Sequence, residues 1–160
     1  MVEQEYRFTT IKRDAGTQFS LGQYMDDVAY MHGEVLGLPE LGHDDPEDLQ
    51  AELEASCANW LAAIVVSNGN NKVVGYGALS SVANKSDEVE LSYAYVNPED
   101  RGKGIYKQLL NLRIDIARQL GATEVQTQPM SDNFHPKFLM REGFIGTRDE
   151  NDVIIYRRKI

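Results

Sequence analysis

Apolar positions change their period along the chain, and each change marks an element. Positions 6–11 alternate aromatic or aliphatic with polar residues, the two-residue period of a short strand. From 21 to 36 the apolar residues Leu21, Tyr24, Met25, Val28, Met31 and Val35 recur at helical spacing, and Gly37 and Pro39 end the run. Asp45 before Pro46 reads as an N-cap and first helical position, so a second helix is expected to reach 57–59. A compact apolar run at 60–66, the turn Asn68-Gly69-Asn70-Asn71 and a partner run at 72–82 predict a hairpin, and 89–96 a third strand of the same meander. Gly75 and Gly77 mark a place where something packs against the strand backbone. A strong helix over 104–120 stops at Gly121. A strand at 124–128, a helix at 133–141 and strands at 145–147 and 153–157 complete the chain.

The order is β, α, α, β, β, β, α, β, α, β, β. Antiparallel hairpins come first and a strand–helix–strand crossover follows. The expected fold is mixed α+β in three layers, a mostly antiparallel sheet with helices on both faces. The 160 residues suit one domain over 1–160.

Composition narrows the function. The formal charge of −9 disfavours nucleic acid or an anionic membrane surface as partner, and mildly favours a cationic substrate. Glu40, Asp44, Asp45, Glu47, Asp48, Glu52 and Glu54, with no Lys or Arg among them, read as a solvated face or as a rim that attracts amines. Cys57 is the single cysteine and reads as a buried thiol, and His32, His43 and His135 lack metal-ligand spacing, so no metal site is expected. No apolar run is long enough for a membrane span. The N-terminal positions carry Glu3, Glu5 and Arg7 where a signal peptide would be apolar, so the cytoplasm is the expected compartment, and Asn84-Lys85-Ser86 reads as a chance match to a glycosylation acceptor.

The chemistry concentrates at 96–110. A strand ends at Val96, Pro98 turns the chain, and Arg101-Gly102-Lys103-Gly104-Ile105-Tyr106-Lys107 opens directly into the long helix. Free N–H groups at a helix start, with glycines that let a ligand approach, form an anion site, and Arg101, Lys103 and Lys107 add charge. The P-loop spacing is absent. The dinucleotide pattern breaks at Lys107, where a third small residue is needed, although Glu124 lies twenty residues beyond Gly104.

Arg101-x-x-Gly104-x-Tyr106, preceded by Val96-x-Pro98, resembles the pyrophosphate-binding motif of the GNAT N-acetyltransferases. The family pattern has Gly or Ala where Tyr106 stands. The resemblance implies a GNAT-like acyl-CoA N-acyltransferase fold that binds acetyl-CoA through Tyr95, Val96, Arg101, Gly102, Lys103, Gly104, Ile105, Tyr106 and Asn133. It implies direct attack of a small-molecule or peptide amine on the thioester. The strand before the loop is expected to splay, leaving backbone groups near Tyr95 and Val96 for the pantetheine arm and a backbone N–H for the carbonyl oxygen. Glu90, six residues before Val96 and read as sharing its face with Ser92 and Ala94, is the candidate base, with Glu88 one period earlier as a lesser one. Tyr106 is the candidate acid, with Tyr93, Tyr95 and His135 as other candidates. Leu139 stands where the family often places an acidic Tyr, which keeps open a second reading: a CoA-binding module or regulator with little turnover. Homodimers are common in the family, and no residue here specifies one.

Overall fold

A computed structural model describes residues 5–128 and 136–160. Its elements are β1 (Arg7–Lys12), α1 (Met25–Leu36), α2 (Pro46–Cys57), β2 (Trp60–Ser67), β3 (Val73–Val82), β4 (Lys85–Glu90), β5 (Ala94–Val96), α3 (Ile105–Gln119), β6 (Glu124–Thr127), α4 (Pro136–Arg141), β7 (Ile145–Arg148) and β8 (Ile154–Lys159). The strands form one mixed sheet in the order β1-β2-β3-β4-β6-β8-β7, and β5 pairs with β3. All pairs are antiparallel except β4–β6, which the α3 crossover makes parallel. The α+β architecture expected from the chain is the one observed.

Helices cover both faces, which is why β2 is almost continuously apolar. Ala62, Ile64 and Val66 point to the face covered by α3 and α4, in one core with Leu109, Leu110, Ile114 and Phe144. Ala63 and Val65 point to the other face and join Val28, Leu53 and Tyr76 beneath α1 and α2. Trp60 falls on that second side because the β2–β3 register shifts between Trp60 and Ala62. The Asp45 cap is present, its Oδ1 accepting from the Glu47 N–H at 2.9 Å. Arg13 closes the other end of α2 by donating to the carbonyls of Cys57 and Ala58.

One predicted strand is two. The run 89–96 is not a continuous strand: β4 ends at Glu90 and β5 begins at Ala94. Ser80 pairs with Glu90 and Gly77 with Ala94, so four steps along this strand oppose three along β3. The extra residue is a β-bulge, which breaks the alternation of side chains. Glu90 therefore takes the α1/α2 face, with Ser80, while Ala94 and Val96 take the α3 face, with Gly77 and Gly75. The expectation that Glu90 shares a face with Ala94 and Val96 is corrected by that one residue.

Both strand glycines answer to close packing. A Cβ on Gly75 would sit 2.8 Å from the Tyr95 carbonyl oxygen, and one on Gly77 3.1 Å from Arg113 Nε. Burial pushes the Cys57 thiol up to about 12, so it packs as an apolar group. No helix among the described residues is long and apolar enough to cross a membrane.

The α1/α2 core holds a polar network around His32, which is fully buried. Its Nδ1 lies 2.7 Å from Tyr76 Oη and its Nε2 2.8 Å from Ser56 Oγ, and the rings of Trp60, Tyr76 and Tyr93 meet it edge-on. Burial pushes the imidazole down to about 4, so it is neutral near pH 7. The unfolded chain takes up this proton near pH 6.5 and the folded one only near 4. His32 thus costs the fold stability as pH falls from 6.5 towards 4, by up to roughly 3 kcal/mol. His32→Gln should flatten that part of the acid limb relative to the parent in urea unfolding between pH 7 and 4. An equal slope in both proteins would show that His32 is not the group responsible.

Candidate functional site

Beyond Glu90 the sheet opens. The Leu91 N–H donates to the Gln126 carbonyl at 2.8 Å, and Thr127 Oγ1 donates to the Leu91 carbonyl at 3.0 Å. Past these bonds β5 pairs only with β3 among the described residues. The Ala78 N–H donates to the Tyr93 carbonyl and the Asn97 N–H to the Val74 carbonyl, so the backbone groups of residues 93, 95 and 97 are turned toward β3. By the antiparallel alternation, those of Ala94 and Val96 face the open edge. The Val96 carbonyl is taken by Arg101 Nε at 2.8 Å. Among the described residues, the N–H groups of Ala94 and Val96 and the Ala94 carbonyl remain as the polar edge of the gap.

That edge leads into the anion loop. A short 3-10 turn at Pro98–Asp100 precedes Arg101, which is extended. Gly102 and Gly104 follow with φ of +78° and +80°, and Lys103 between them is not in the positive-φ region. Alternating signs of φ turn successive N–H groups inward, the nest geometry that holds anions. A Cβ would meet nothing within 4 Å at either glycine. These glycines are therefore required by backbone conformation, and the space over them is open. The first intrahelical bond of α3 runs from the Gln108 N–H to the Gly104 carbonyl. The N–H groups of Ile105, Tyr106 and Lys107 consequently have no acceptor within the helix.

The loop cations are held in different ways. The Arg101 guanidinium folds back over the Tyr95 ring at 5.4 Å. Lys103 Nζ lies 3.8 Å from the buried Asp100 carboxylate and donates to Tyr6 Oη, which itself donates to Asp100 at 2.7 Å. Lys107 pairs with Glu142 at 3.5 Å.

A cavity of about 410 Å³ runs along this path, lined by Ala94–Val96, the loop glycines, Ile105, Tyr106, Lys107 and Phe138, and it reaches Glu34 at the end of α1. Tyr106 is half-buried and packs edge-on against Phe138, with ring centroids 5.9 Å apart. Burial raises its phenol above the ordinary tyrosine value, and the nearby Arg113 guanidinium opposes the rise.

A second cavity, of about 390 Å³, opens on the α1/α2 face beside the bulge and is lined by Ser56, Asn59, Trp60, Ser80, Glu90 and Tyr93, among others. Trp60 Nε1 is a buried donor with no partner among the described residues. Among the described residues, the Glu90 carboxylate accepts one hydrogen bond, from Gln126 Nε2 at 3.5 Å. Ser92 lines this second cavity and Ala94 the first, so the two approach each other at the bulge.

Glu90 and Tyr106 thus lie on opposite sides of the sheet, at the two mouths of the gap. Of the other acid candidates, Tyr93 lines the second cavity and Tyr95 the first. Asn133 and His135 fall outside the described residues. Leu139 is fully packed in the α3/α4 core, where a proton donor would have no access to solvent. Two residues near the gap escaped the sequence reading. Glu34 sits on the polar side of α1. Arg113 interrupts the apolar stripe Leu109, Leu110, Ile114 and Ala117, and a charge on a buried face was the available signal.

Known proteins carry the same fold. The chain superposes on N-acetyltransferase YhbS from Escherichia coli in complex with CoA at a TM-score of 0.69, with 13% identity over 99% of this chain and 83% of that one. PaiA N-acetyltransferase from Thermoplasma acidophilum, also in complex with CoA, gives 0.62 with 16% identity over 99% and 100%. N-acetylglutamate synthase from Neisseria gonorrhoeae, with CoA and N-acetyl-glutamate bound, gives 0.63 with 19% identity over 96% of this chain and 35% of that one. At these identities the likeness is one of fold. No curated protein matches the sequence. The sequence profile of the acetyltransferase (GNAT) family matches residues 26–144, well over half of the chain, and the protein belongs to that family.

Proposed function

We propose that the chain, acting as one domain over 1–160, is an acetyl-CoA-dependent N-acetyltransferase that acetylates a primary amine of a small molecule or peptide. The observation that carries this reading is the continuity of the open β5 edge with the two-glycine start of α3. One presents unpaired amides at the spacing of a strand, and the other presents inward-turned N–H groups and a helix dipole. A long ligand with an amide-bearing arm and a pyrophosphate satisfies both. Neither a free nucleotide nor a simple anion uses the strand edge.

In this reading acetyl-CoA supplies an activated acyl group as a thioester. Gly102, Gly104 and the N–H groups of Ile105, Tyr106 and Lys107 hold its phosphates, assisted by Lys103 and by Asn133. Arg101 braces the loop through the Val96 carbonyl and the Tyr95 ring. The Ala94 and Val96 amides hold the arm and polarise the carbonyl.

The amine enters from the cavity that contains Glu90, where the carboxylate offsets the ammonium charge and accepts its proton, directly or through water. Attack forms the N–C bond and breaks the C–S bond, and the departing thiolate takes the Tyr106 proton. The serine hydroxyls and aromatic walls suit a polar cationic amine. Asp26, Asp27, Glu34 and Glu99 line an adjoining hollow by Tyr95 and extend the negative field towards it.

CoA and acetyl-CoA at about 100 times Kd should each stabilise the protein by about 2.7 kcal/mol, read as a rise in Tm. No rise at high excess, or a larger rise with ATP or NAD, would sink the reading. Thiol release from acetyl-CoA across a panel of amines tests transfer. Binding without release for every amine would favour a CoA-binding module, the alternative that the apolar Leu139 keeps open.

Glu90→Gln should lower kcat by about 10²–10⁴-fold, most at low pH, with CoA affinity retained. An unchanged pH–rate profile would remove Glu90 from the reaction.

A further inference from the structure

Arg113 is the least expected side chain in the core. It is only 3% exposed, and no ion pair among the described residues includes it. Burial lowers its pKa below the ordinary guanidinium value, yet an arginine stays charged in proteins. A buried charge without a counter-charge costs several kcal/mol, and an apolar residue of similar volume often stabilises such a site. The buried face of α3 around it is apolar, so Leu or Met would continue the stripe. Core stability does not account for the arginine.

Its contacts point to the gap. Nη1 donates to the Ser92 carbonyl at 3.0 Å and to the Ala78 carbonyl at 3.3 Å, and Nε lies 3.4 Å from the Leu109 carbonyl. Ser92 belongs to the bulge, and Ala78 is the β3 residue whose N–H donates to the Tyr93 carbonyl on the bulge's far side. One guanidinium thus ties β3, the bulge and α3 together. Gly77 makes the room, since a Cβ there would lie 3.1 Å from Nε and 3.2 Å from Cδ. The side chain of Ser92 is fixed as well, its Oγ 2.7 Å from Ser80 Oγ.

A bulge released from these contacts could move its extra residue along the strand. Each step would reverse which amides face the open edge, because the alternation has a period of two. We propose that Arg113 is a positioning residue that fixes the bulge so that the Ala94 N–H, and not that of Tyr95, is aimed at the thioester carbonyl. The proposal rests on the acetyltransferase reading above.

Arg113→Met keeps the volume and removes the fork. It is expected to keep Tm at or above the parent value and CoA affinity within about tenfold, because the phosphate loop is untouched and only the Ala94 contact to the arm is lost. Loss of one aimed oxyanion donor should lower kcat by about 10²–10³-fold. The carbonyl stretch of bound ¹³C-acetyl-CoA in infrared difference spectra should return towards its frequency in water. Arg113→Lys retains the charge with one compact donor group and should recover only part of the rate and of the spectral shift. It also serves as the readable variant if Arg113→Met does not fold.

Parent-like kcat and carbonyl frequency in either folded variant would overturn the proposal. So would a fall in kcat matched by equal losses of CoA affinity and Tm, which would mark a merely structural role. A parent protein that binds no acetyl-CoA would instead remove the acetyltransferase reading, and this proposal with it. The two failures are separated before any variant is made.

Discussion

The residue inserted between Glu90 and Ala94 shapes everything around the candidate site. With β3 continuous beneath it, one extra residue makes the strand change faces, so Glu90 serves the α1/α2 side while Ala94 and Val96 serve the α3 side. The same bulge marks where the neighbour on the other edge is lost. β6 pairs with β4 as far as Gln126, and among the described residues β5 is bonded to β3 alone. An unpaired strand edge is ordinarily a hazard that invites non-specific pairing. Here it lies inside a cleft flanked by α3, α4 and the end of α1, where an extended ligand can use it and another sheet cannot easily reach it.

The anion loop adds a second constraint of a different kind. A Cβ on either of its two glycines would meet nothing within 4 Å, so packing does not require them; their left-handed backbone does. The surrounding cations are mostly committed to bracing: Arg101 to β5, Lys103 to the Tyr6–Asp100 pair, Lys107 to Glu142. Main-chain dipoles therefore supply the fixed part of the positive field in a chain whose formal charge is −9. This spot suits a polyanion in a chain whose acidic surface elsewhere repels one.

Most of the fold was legible because its signals are local. The helical period of 21–36, the Asp45–Pro46 start and the Asn68–Asn71 turn each act within a few residues; the cap and the turn lie where the pattern put them, and the helical run is a 3-10 turn at Gly22–Tyr24 that leads into α1. The glycine loop was legible because it joins a strand end to a helix start within ten residues. The bulge was not. Leu91, Ser92 and Tyr93 look like strand, and only pairing with β3 reveals that one residue too many lies between Glu90 and Ala94. The face of Glu90 was misread for that reason alone. Gly77 signalled close packing and Arg113 a charge on a buried helix face, but only the α3–β3 contact shows that one answers the other. The acidic run at 40–54 was visible, but the acids that border the cavities are mainly Asp26, Asp27, Glu34 and Glu99, gathered from α1 and the turn after β5.

In the proposed function one ligand uses both the β5 edge and the start of α3. Titration of ¹⁵N-labelled protein with CoA tests it at the level of single amides. The signals of Gly102, Gly104, Ile105 and Lys107 are expected to shift together with those of Ala94 and Val96, while the Tyr95 amide, turned toward β3, shifts least among its neighbours. Shifts confined to the loop, or a Tyr95 response larger than those of Ala94 and Val96, would contradict it.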